Sequence, residues 1–185
     1  SGAQVGASSF IGEHSYLGAH SVVEDRVSLG QRVYIGRQSV IGAPGFGYER
    51  DSQAQWRPLA HLSGFTIQSD CFIGNNVCID AGVLAPTKIE SNVVIDNLVQ
   101  IAHHVHIQSG TAIAGCVGIA GSTTIGKNCM IGGGSCLNGH ITIADCCMIT
   151  GMSMVTGDIT KSGVYSSGIP VADNRQWKKN AATFS

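Results

Sequence analysis

Aliphatic residues recur at every sixth position along most of the chain, and this spacing is the dominant pattern in the sequence. A register that starts at Val5 meets an aliphatic residue at each step through Ile41 and resumes at Ile67. After a four-residue slip it restarts at Ile89 and continues without exception to Val155. A period that survives this many steps indicates internal repeats of about six residues rather than a mixed globular fold.

A second set of mostly small or β-branched residues stands two positions before the aliphatic marks, for example at Val93, Thr111 and Cys129. Because alternate side chains of a strand face the same way, two inward positions in every six residues predict a short strand followed by a turn. The residue after a mark is often Gly, as at Gly12 and Gly36, and we expect it to permit an unusual turn conformation. Three such units would form a triangular coil, and successive coils would stack about 4.8 Å apart.

Two segments depart from the repeat. Residues 43–66 are polar and contain Gly, which predicts a loop that projects from the solenoid. This loop is either a tolerated surface insertion or a flap that reaches a neighbouring subunit or covers a substrate. We expect a β-helix domain over residues 1–160 and a C-terminal extension over 161–185, where a helix could begin with Asp173 or Asn174 as its cap.

The composition favours a thin solenoid. The 185 residues include 25 Gly, and only 6% are aromatic, which is few large side chains for a globular core. A formal net charge of −1 does not indicate a general affinity for nucleic acid, and no apolar run reaches the ~20 residues of a membrane span. Seven Cys without a CxxC pair favour free thiols in a reducing compartment, where they would act as small buried hydrophobes.

Histidines provide the strongest candidate chemistry. His103, His104 and His106 cluster on one coil, His140 follows two coils later, and none of them falls on an inward position. We expect His103 and His140 to stand roughly 10 Å apart along the axis, a separation that suits two groups flanking one substrate. A solvated surface role is the ordinary alternative for each. An imidazole suits a general base that acts on an amine or a hydroxyl.

A histidine base needs an orienting partner, and acyl transfer also needs donors for the developing oxyanion. Asp96 is the nearest carboxylate in register with His103, because it falls on the same coil. Gly121 follows His103 by three full repeats, so we expect it one coil above, with its backbone N–H as a candidate donor.

Several segments taken together resemble the family of UDP-3-O-(3-hydroxyacyl)glucosamine N-acyltransferases of lipid A synthesis. The matching segments are GFGYERD at 45–51, IDNLVQIAHHV at 95–105, AGCVGIAGSTTIG at 114–126, CMIGGGSCLNGHI at 129–141, TGMSMV at 150–155 and GVYSSGIP at 163–170. The resemblance implies a left-handed parallel β-helix that forms homotrimers in the cytoplasm of a Gram-negative bacterium. It also implies transfer of a 3-hydroxyacyl chain from acyl carrier protein to the 2-amine of UDP-3-O-acylglucosamine. No cofactor is implied beyond the 4'-phosphopantetheine that arrives on the carrier protein.

The resemblance assigns roles to particular residues. His103 matches the general base, Asp96 its orienting carboxylate, Gly121 the oxyanion-hole amide and His140 a second active-site histidine that binds substrate or stabilises the intermediate. Two further groups are candidates for binding. The substrate and acyl-chain candidates are Met152, Met154 and Gln100, with structural packing as an equal interpretation for either Met. The candidate contacts for an acidic carrier protein, or else a solvated tail, are Arg175, Lys178 and Lys179.

The chain also departs from the family. The family has an N-terminal domain that binds the uridine, and we expect the present chain to lack it. Residues 80–84 read DAGVL where relatives usually have DRGAL, and Pro44 precedes GFGY where Asp is common.

Three other functions share features with this sequence. A sister O-acyltransferase acting on UDP-N-acetylglucosamine shares the fold, but the YSSGIP and NGH segments favour the N-acyltransferases. A γ-type carbonic anhydrase needs three His around zinc, and His104 and His140 lack a third at a matching offset, so we expect no metal. A non-enzymatic solenoid such as an ice-binding protein needs long Thr ladders, which the sequence lacks.

Overall fold

A computed structural model describes residues 2–59, 63–83, 85–168 and 171–183, and it forms a parallel β-helix of about nine turns. The first sheet contains β1 (Gln4–Val5), β4 (Val22–Val23), β7 (Val40–Ala43), β12 (Cys78–Asp80), β15 (Gln100–Ile101), β18 (Gly118–Ile119), β21 (Cys136–Leu137) and β24 (Met154–Val155). The second contains β2 (Phe10–Ile11), β5 (Val27–Leu29), β10 (Phe65–Ile67), β13 (Thr87–Ile89), β16 (His106–Ile107), β19 (Thr124–Ile125) and β22 (Thr142–Ile143). The third contains β3 (Tyr16–Leu17), β6 (Tyr34–Ile35), β11 (Phe72–Ile73), β14 (Val94–Ile95), β17 (Ala112–Ile113), β20 (Met130–Ile131), β23 (Cys147–Ile149) and β25 (Gly163–Tyr165).

The predicted period is confirmed throughout the central coils. Strands of one sheet pair in parallel between residues that are three repeats apart, as Ile95 pairs with Ile113. The aliphatic marks from Ile67 to Ile149 are buried, and so are the residues of the second set, two positions before them. Val5 remains 49% exposed, since the first coil is covered on one side only. A continuous apolar column inside the prism therefore holds the coils together.

The chain turns a corner after every strand, and each corner is named here by the sheet whose strand precedes it. The left-handed backbone conformation occurs three residues after the mark and is carried mainly by residues other than Gly, such as His104 (φ 60°) and His140 (φ 59°). The predicted use of the Gly directly after a mark was therefore wrong, except at Gly42 (φ 84°), which directly follows Ile41. At Gly18 a Cβ would lie 2.7 Å from the backbone nitrogen of Arg37, so Gly there permits close stacking of coils.

The first insertion contains regular structure that the sequence analysis did not predict. Ala43 still belongs to β7 and Phe65 already belongs to β10, and between them β8 (Tyr48–Arg50) and β9 (Trp56–Pro58) form an antiparallel hairpin. Asp51 closes the hairpin by accepting hydrogen bonds from the backbone of Gln53 and Gln55 and from the Arg57 side chain. The bonds from the Gln55 backbone and Arg57 lower the pKa of Asp51.

The C-terminal region extends the solenoid further than the period indicates. Gly163–Tyr165 pairs with β23 although Gly163 follows its partner Cys147 by less than three full repeats, which breaks the six-residue register. The single helix of the described residues, α1 (Asn174–Ala182), begins after Asp173, whose carboxylate accepts from the backbone nitrogens of the first turn. Ile169 and Pro170 of the YSSGIP segment lie outside the described residues. No helix in the described part of the chain has the length and apolarity of a membrane span.

All seven Cys are free thiols, but only some serve as buried hydrophobes. Cys71, Cys129 and Cys147 are buried on inward positions, whereas Cys78 is partly buried. The interpretation was wrong for the other three, which are exposed at corners or on a sheet face: Cys116, Cys136 and Cys146. Burial raises the pKa of the Cys71 thiol, so it is held in the neutral form.

Candidate active site

His103 lies at the first-sheet corner after β15, and its ring packs against Gly121 of the next coil. A Cβ added to Gly121 would lie 2.7 Å from Cε1 and 3.0 Å from Nε2 of His103. The Ser122 amide donates to the His103 carbonyl at 2.9 Å, which fixes the two coils at this height. The spacing of three repeats therefore brings Gly121 and His103 together as the sequence predicts, and only Gly leaves room for the imidazole.

His140 marks the far end of the same corner. Its amide donates to the Gly121 carbonyl at 3.0 Å, and a Cβ on Gly139 would lie 3.0 Å from that same carbonyl oxygen. The His140 side chain is exposed, two coils above His103. Gly121 and Gly139, which stack on successive coils, thus place no side chain between His103 and His140. The strip of surface between these two histidines is called the trough below.

The amide of Gly121 differs from the equivalent amides of Ser109 and Lys127 at the second-sheet corner, although other glycine amides at equivalent positions, such as that of Gly139, also donate no hydrogen bond within the described residues. At the second-sheet corner, the corresponding amides donate to side-chain oxygens of neighbouring coils. The Lys127 amide donates to Asp145 at 2.8 Å, and the Ser109 amide donates to Glu90 at 3.2 Å. The Gly121 amide donates no hydrogen bond within the described residues. It is consequently available to a ligand that lies beside the His103 ring.

His104 is a neighbour whose part in this site the sequence analysis missed. Its Nδ1 lies 3.1 Å from Nδ1 of His103, and the two rings meet edge to face at 4.9 Å. The backbone N–H of Val83 donates to Nε2 of His104 at 2.9 Å, and the His104 amide donates to Thr87 Oγ1. The four-residue slip thus forms a loop that packs on the histidine pair. The register slip itself was the signal, because extra residues between coils must lie against the adjacent corner.

Asp96 does not reach His103 within one chain. It lies at the third-sheet corner after β14, and its carboxylate accepts from the backbone and side-chain nitrogens of Asn97 at 2.7 and 2.8 Å. The expectation that a shared coil brings Asp96 to His103 was wrong, because the three corners of one coil point in different directions.

His106 has a structural environment. Its Nε2 lies 2.8 Å from Glu90 Oε1, while Glu90 Oε2 accepts from the backbone and hydroxyl of Ser109. Burial raises the pKa of Glu90, but the hydrogen bonds from His106 and Ser109 outweigh it and the net pKa is lowered. This cluster closes the second-sheet corner by occupying its outward amide and the His106 ring.

The remaining binding candidates separate into different regions. Met154 projects from the outer face of the first sheet, where it lines a groove with Ala120, Cys136 and Asn138 beside the His103 corner. Gln100 lies on the same face and donates to buried Asp80 at 3.4 Å. Met152 instead sits at the third-sheet corner. The candidate carrier-protein contacts are all exposed on α1: Arg175, Lys178 and Lys179.

Among the described residues, no three His, Cys, Asp or Glu side chains converge as a metal site would require. Nε2 of His104, one of the two His considered for zinc, faces the Val83 amide. His61 lies outside the described residues.

Residues 64–99 and 122–150 match the family described as the hexapeptide repeat of succinyl-transferase. A protein named UDP-3-O-acylglucosamine N-acyltransferase from Xanthomonas euvesicatoria is 49% identical over 79% of this chain and 43% of its own length. The protein of that name from Xanthomonas oryzae is 56% identical over the same shares. The chain therefore spans less than half the length of these curated relatives.

Among solved structures, the UDP-N-acetylglucosamine acyltransferase of Francisella novicida aligns with a TM-score of 0.80. The alignment covers 97% of this chain and 65% of that one, at 19% identity. At this identity the likeness concerns the fold alone, which is a left-handed parallel β-helix, and the predicted hand is confirmed.

Proposed function

Because the chain belongs to the hexapeptide-repeat acyltransferases, we propose that it carries the acyl-transfer centre of a UDP-3-O-acylglucosamine N-acyltransferase. In this proposal a 3-hydroxyacyl chain moves from the thioester of acyl carrier protein to the 2-amine of UDP-3-O-acylglucosamine. The observation that carries the proposal is the His103 ring packed beside the unoccupied amide of Gly121. The curated relatives that bear this name support the choice of acceptor.

The proposed chemistry assigns one task to each group. The 2-amine attacks the thioester carbonyl, a C–N bond forms, and the Gly121 amide donates to the oxyanion. His103 accepts the proton that the amine loses and returns it to the sulfur as the C–S bond breaks, so the products are an amide and a thiol. His140, at the other end of the trough, binds the substrate or stabilises the intermediate.

The groove beside the corner suits the acyl chain. Gly118 and Cys136 leave the outer face of the first sheet low next to the trough, and Met154 closes the groove with a flexible thioether. Gln100 borders the same face and serves as a polar contact in this proposal.

The proposed assembly is a homotrimer. The outer face of the third sheet is apolar along its length, an unusual surface for a protein that stays monomeric. Any contact between Asp96, at the edge of this face, and His103 has to come from a neighbouring subunit. The residues that project from this face are Tyr16, Tyr34, Phe72, Val94, Ala112, Met130, Met148 and Val164.

The proposed acyl donor is an acyl carrier protein. Arg175, Lys178 and Lys179 on α1 give an exposed basic surface for an acidic carrier protein, whose phosphopantetheine brings the thioester. The reaction would then take place in the cytoplasm, where a carrier protein of this kind is loaded.

An assay with 3-hydroxyacyl carrier protein and UDP-3-O-acylglucosamine, read by mass, tests the function. We expect one added amide-linked acyl chain, and we expect His103→Gln to lower kcat by about 10²-fold or more because the base is lost. His20→Gln, at an exposed corner of the second coil, is the control. Undiminished transfer by His103→Gln would refute the proposed base. Transfer to UDP-N-acetylglucosamine instead would identify the sister O-acyltransferase activity.

A further inference from the structure

Two hydrogen bonds connect the loop between β12 and β13 to the proposed base. The N–H of Val83 points at Nε2 of His104 at 2.9 Å, and Nδ1 of His104 lies 3.1 Å from Nδ1 of His103. The loop approaches closely, since a Cβ on Gly82 would lie 3.0 Å from Cδ2 of His104. The backbone of residues 82–83 in turn accepts from the Ser63 amide at the base of the hairpin insertion.

The direction of these bonds follows from the number of protons on each ring. A backbone amide can only donate, so Nε2 of His104 must be the acceptor, and a neutral imidazole then carries its one proton on Nδ1. That Nδ1–H donates to His103, whose own proton must therefore be on Nε2. A second proton on either ring would set two N–H groups against each other. The arrangement thus specifies the tautomer of both histidines.

A base that acts through Nε2 of His103 needs a lone pair there, and this arrangement places a proton on that atom. We propose that His104 is a positioning residue that holds His103 in the Nε2–H tautomer while Val83 contacts His104, and that movement of the loop releases the base. Once Val83 withdraws, each ring exchanges a proton with solvent, Nδ1 of His104 becomes an acceptor, and the lone pair of His103 moves to Nε2. The tautomer follows from the geometry, whereas its catalytic consequence rests on the proposed function.

The loop formed by the four-residue slip in register would thus control when His103 can act as a base. The hairpin insertion and the loop between β12 and β13 are joined through Ser63, so a substrate that displaces the hairpin base also shifts the amide that faces His104. The base would become competent when the acceptor is present, which limits hydrolysis of the thioester in its absence.

The tautomers can be measured directly by two-bond ¹H–¹⁵N correlation on ligand-free protein labelled with [¹⁵N]histidine, at mildly alkaline pH. We expect Nε2–H for His103 and Nδ1–H for His104. In His104→Asp, a carboxylate oxygen replaces Nδ1 as an acceptor that cannot donate, so His103 should change to Nδ1–H. Asp tolerates positive φ, and His14→Asp, at φ 60° on the first coil, is the matched control.

The outcomes separate this inference from the proposed function. Nδ1–H on His103 in the unmodified protein, or no change of tautomer in His104→Asp, would overturn the inference even if acyl transfer is normal. Expected tautomers in a protein without acyl transfer would instead refute the function and leave the positioning intact. In an active protein, kcat of His104→Asp should rise above that of the parent, since the restraint is gone. An unchanged or lower kcat would mean that His104 does not restrain the base.

Discussion

Two corners of the β-helix follow the same six-residue repeat but differ in whether side chains occupy their outward amides. At the second-sheet corner, Glu90 and Asp145 occupy the outward amides of Ser109 and Lys127. At the first-sheet corner, Gly121 and Gly139 occupy the position of His103 on the next two coils, and the Gly121 amide is left for a ligand. In a repeat protein the fold supplies the same amide at every coil. A site arises where the side chains leave that amide open and place a functional group beside it.

The largest loss of activity is expected when a side chain at Gly121 closes the first-sheet corner. In Gly121→Ala the new Cβ would fall 2.7 Å from Cε1 of His103, so the ring has to move away from the amide. We expect kcat for acyl transfer to fall by about 10²-fold, because base and oxyanion donor no longer share one geometry.

Gly157→Ala is the matched control, since Gly157 occupies the same position two coils above Gly121 and its Cβ would meet nothing within 4 Å. Thermal unfolding of both variants separates local displacement from general destabilisation. Equal kcat for the two variants would contradict the proposed pairing of His103 with the Gly121 amide.

A second change tests the groove beside the open corner. Met154→Ala should widen the groove and shift the preferred acyl chain by about two carbons towards longer chains, with a change of roughly tenfold in the ratio of kcat/KM values. Met152→Asn should change this ratio less, because Met152 lies at the third-sheet corner, and Asn tolerates its φ of 59°. Competition between carrier proteins loaded with two chain lengths measures the ratio. A larger shift in Met152→Asn would reassign the acyl site to the third-sheet corner.

The smallest effect is expected at the closed corner, and it concerns stability. The folded pKa of Glu90 lies below its unfolded value, so its ionised form contributes stability above the unfolded pKa of about 4.3, and this is lost as pH falls through the folded pKa. Glu90→Gln should therefore lower the free energy of unfolding near neutral pH and flatten its dependence on pH below about 5.

Urea unfolding of the parent and Glu90→Gln at several pH values measures this difference. The acyl-transfer rate should remain unchanged, since Glu90 faces a corner without catalytic groups. Parallel pH curves for the two proteins would argue against the Glu90 cluster as the group that closes this corner.

The six-residue period was enough to predict most of the architecture. Because the coil closes after three six-residue units, the separation of His103 and Gly121 by one such coil was enough to predict that they stack. The same reasoning failed for Asp96 because it used only height along the axis. The step of about one repeat from Asp96 to His103 also carries the chain past a whole strand to another corner, so the two side chains face different directions.

Local sequence was a poor guide where the period breaks. The hairpin at Tyr48–Pro58 and the strand at Gly163–Tyr165 both follow changes of register, and nothing in a six-residue repeat specifies what the extra or missing residues do. The contact of Val83 with His104 is of the same kind. It depends on the path of a loop between two coils, and that path is set by packing against residues distant in the chain. The sequence alone therefore supplied the ladders and the candidate base, while the proton arrangement around that base required the folded coordinates.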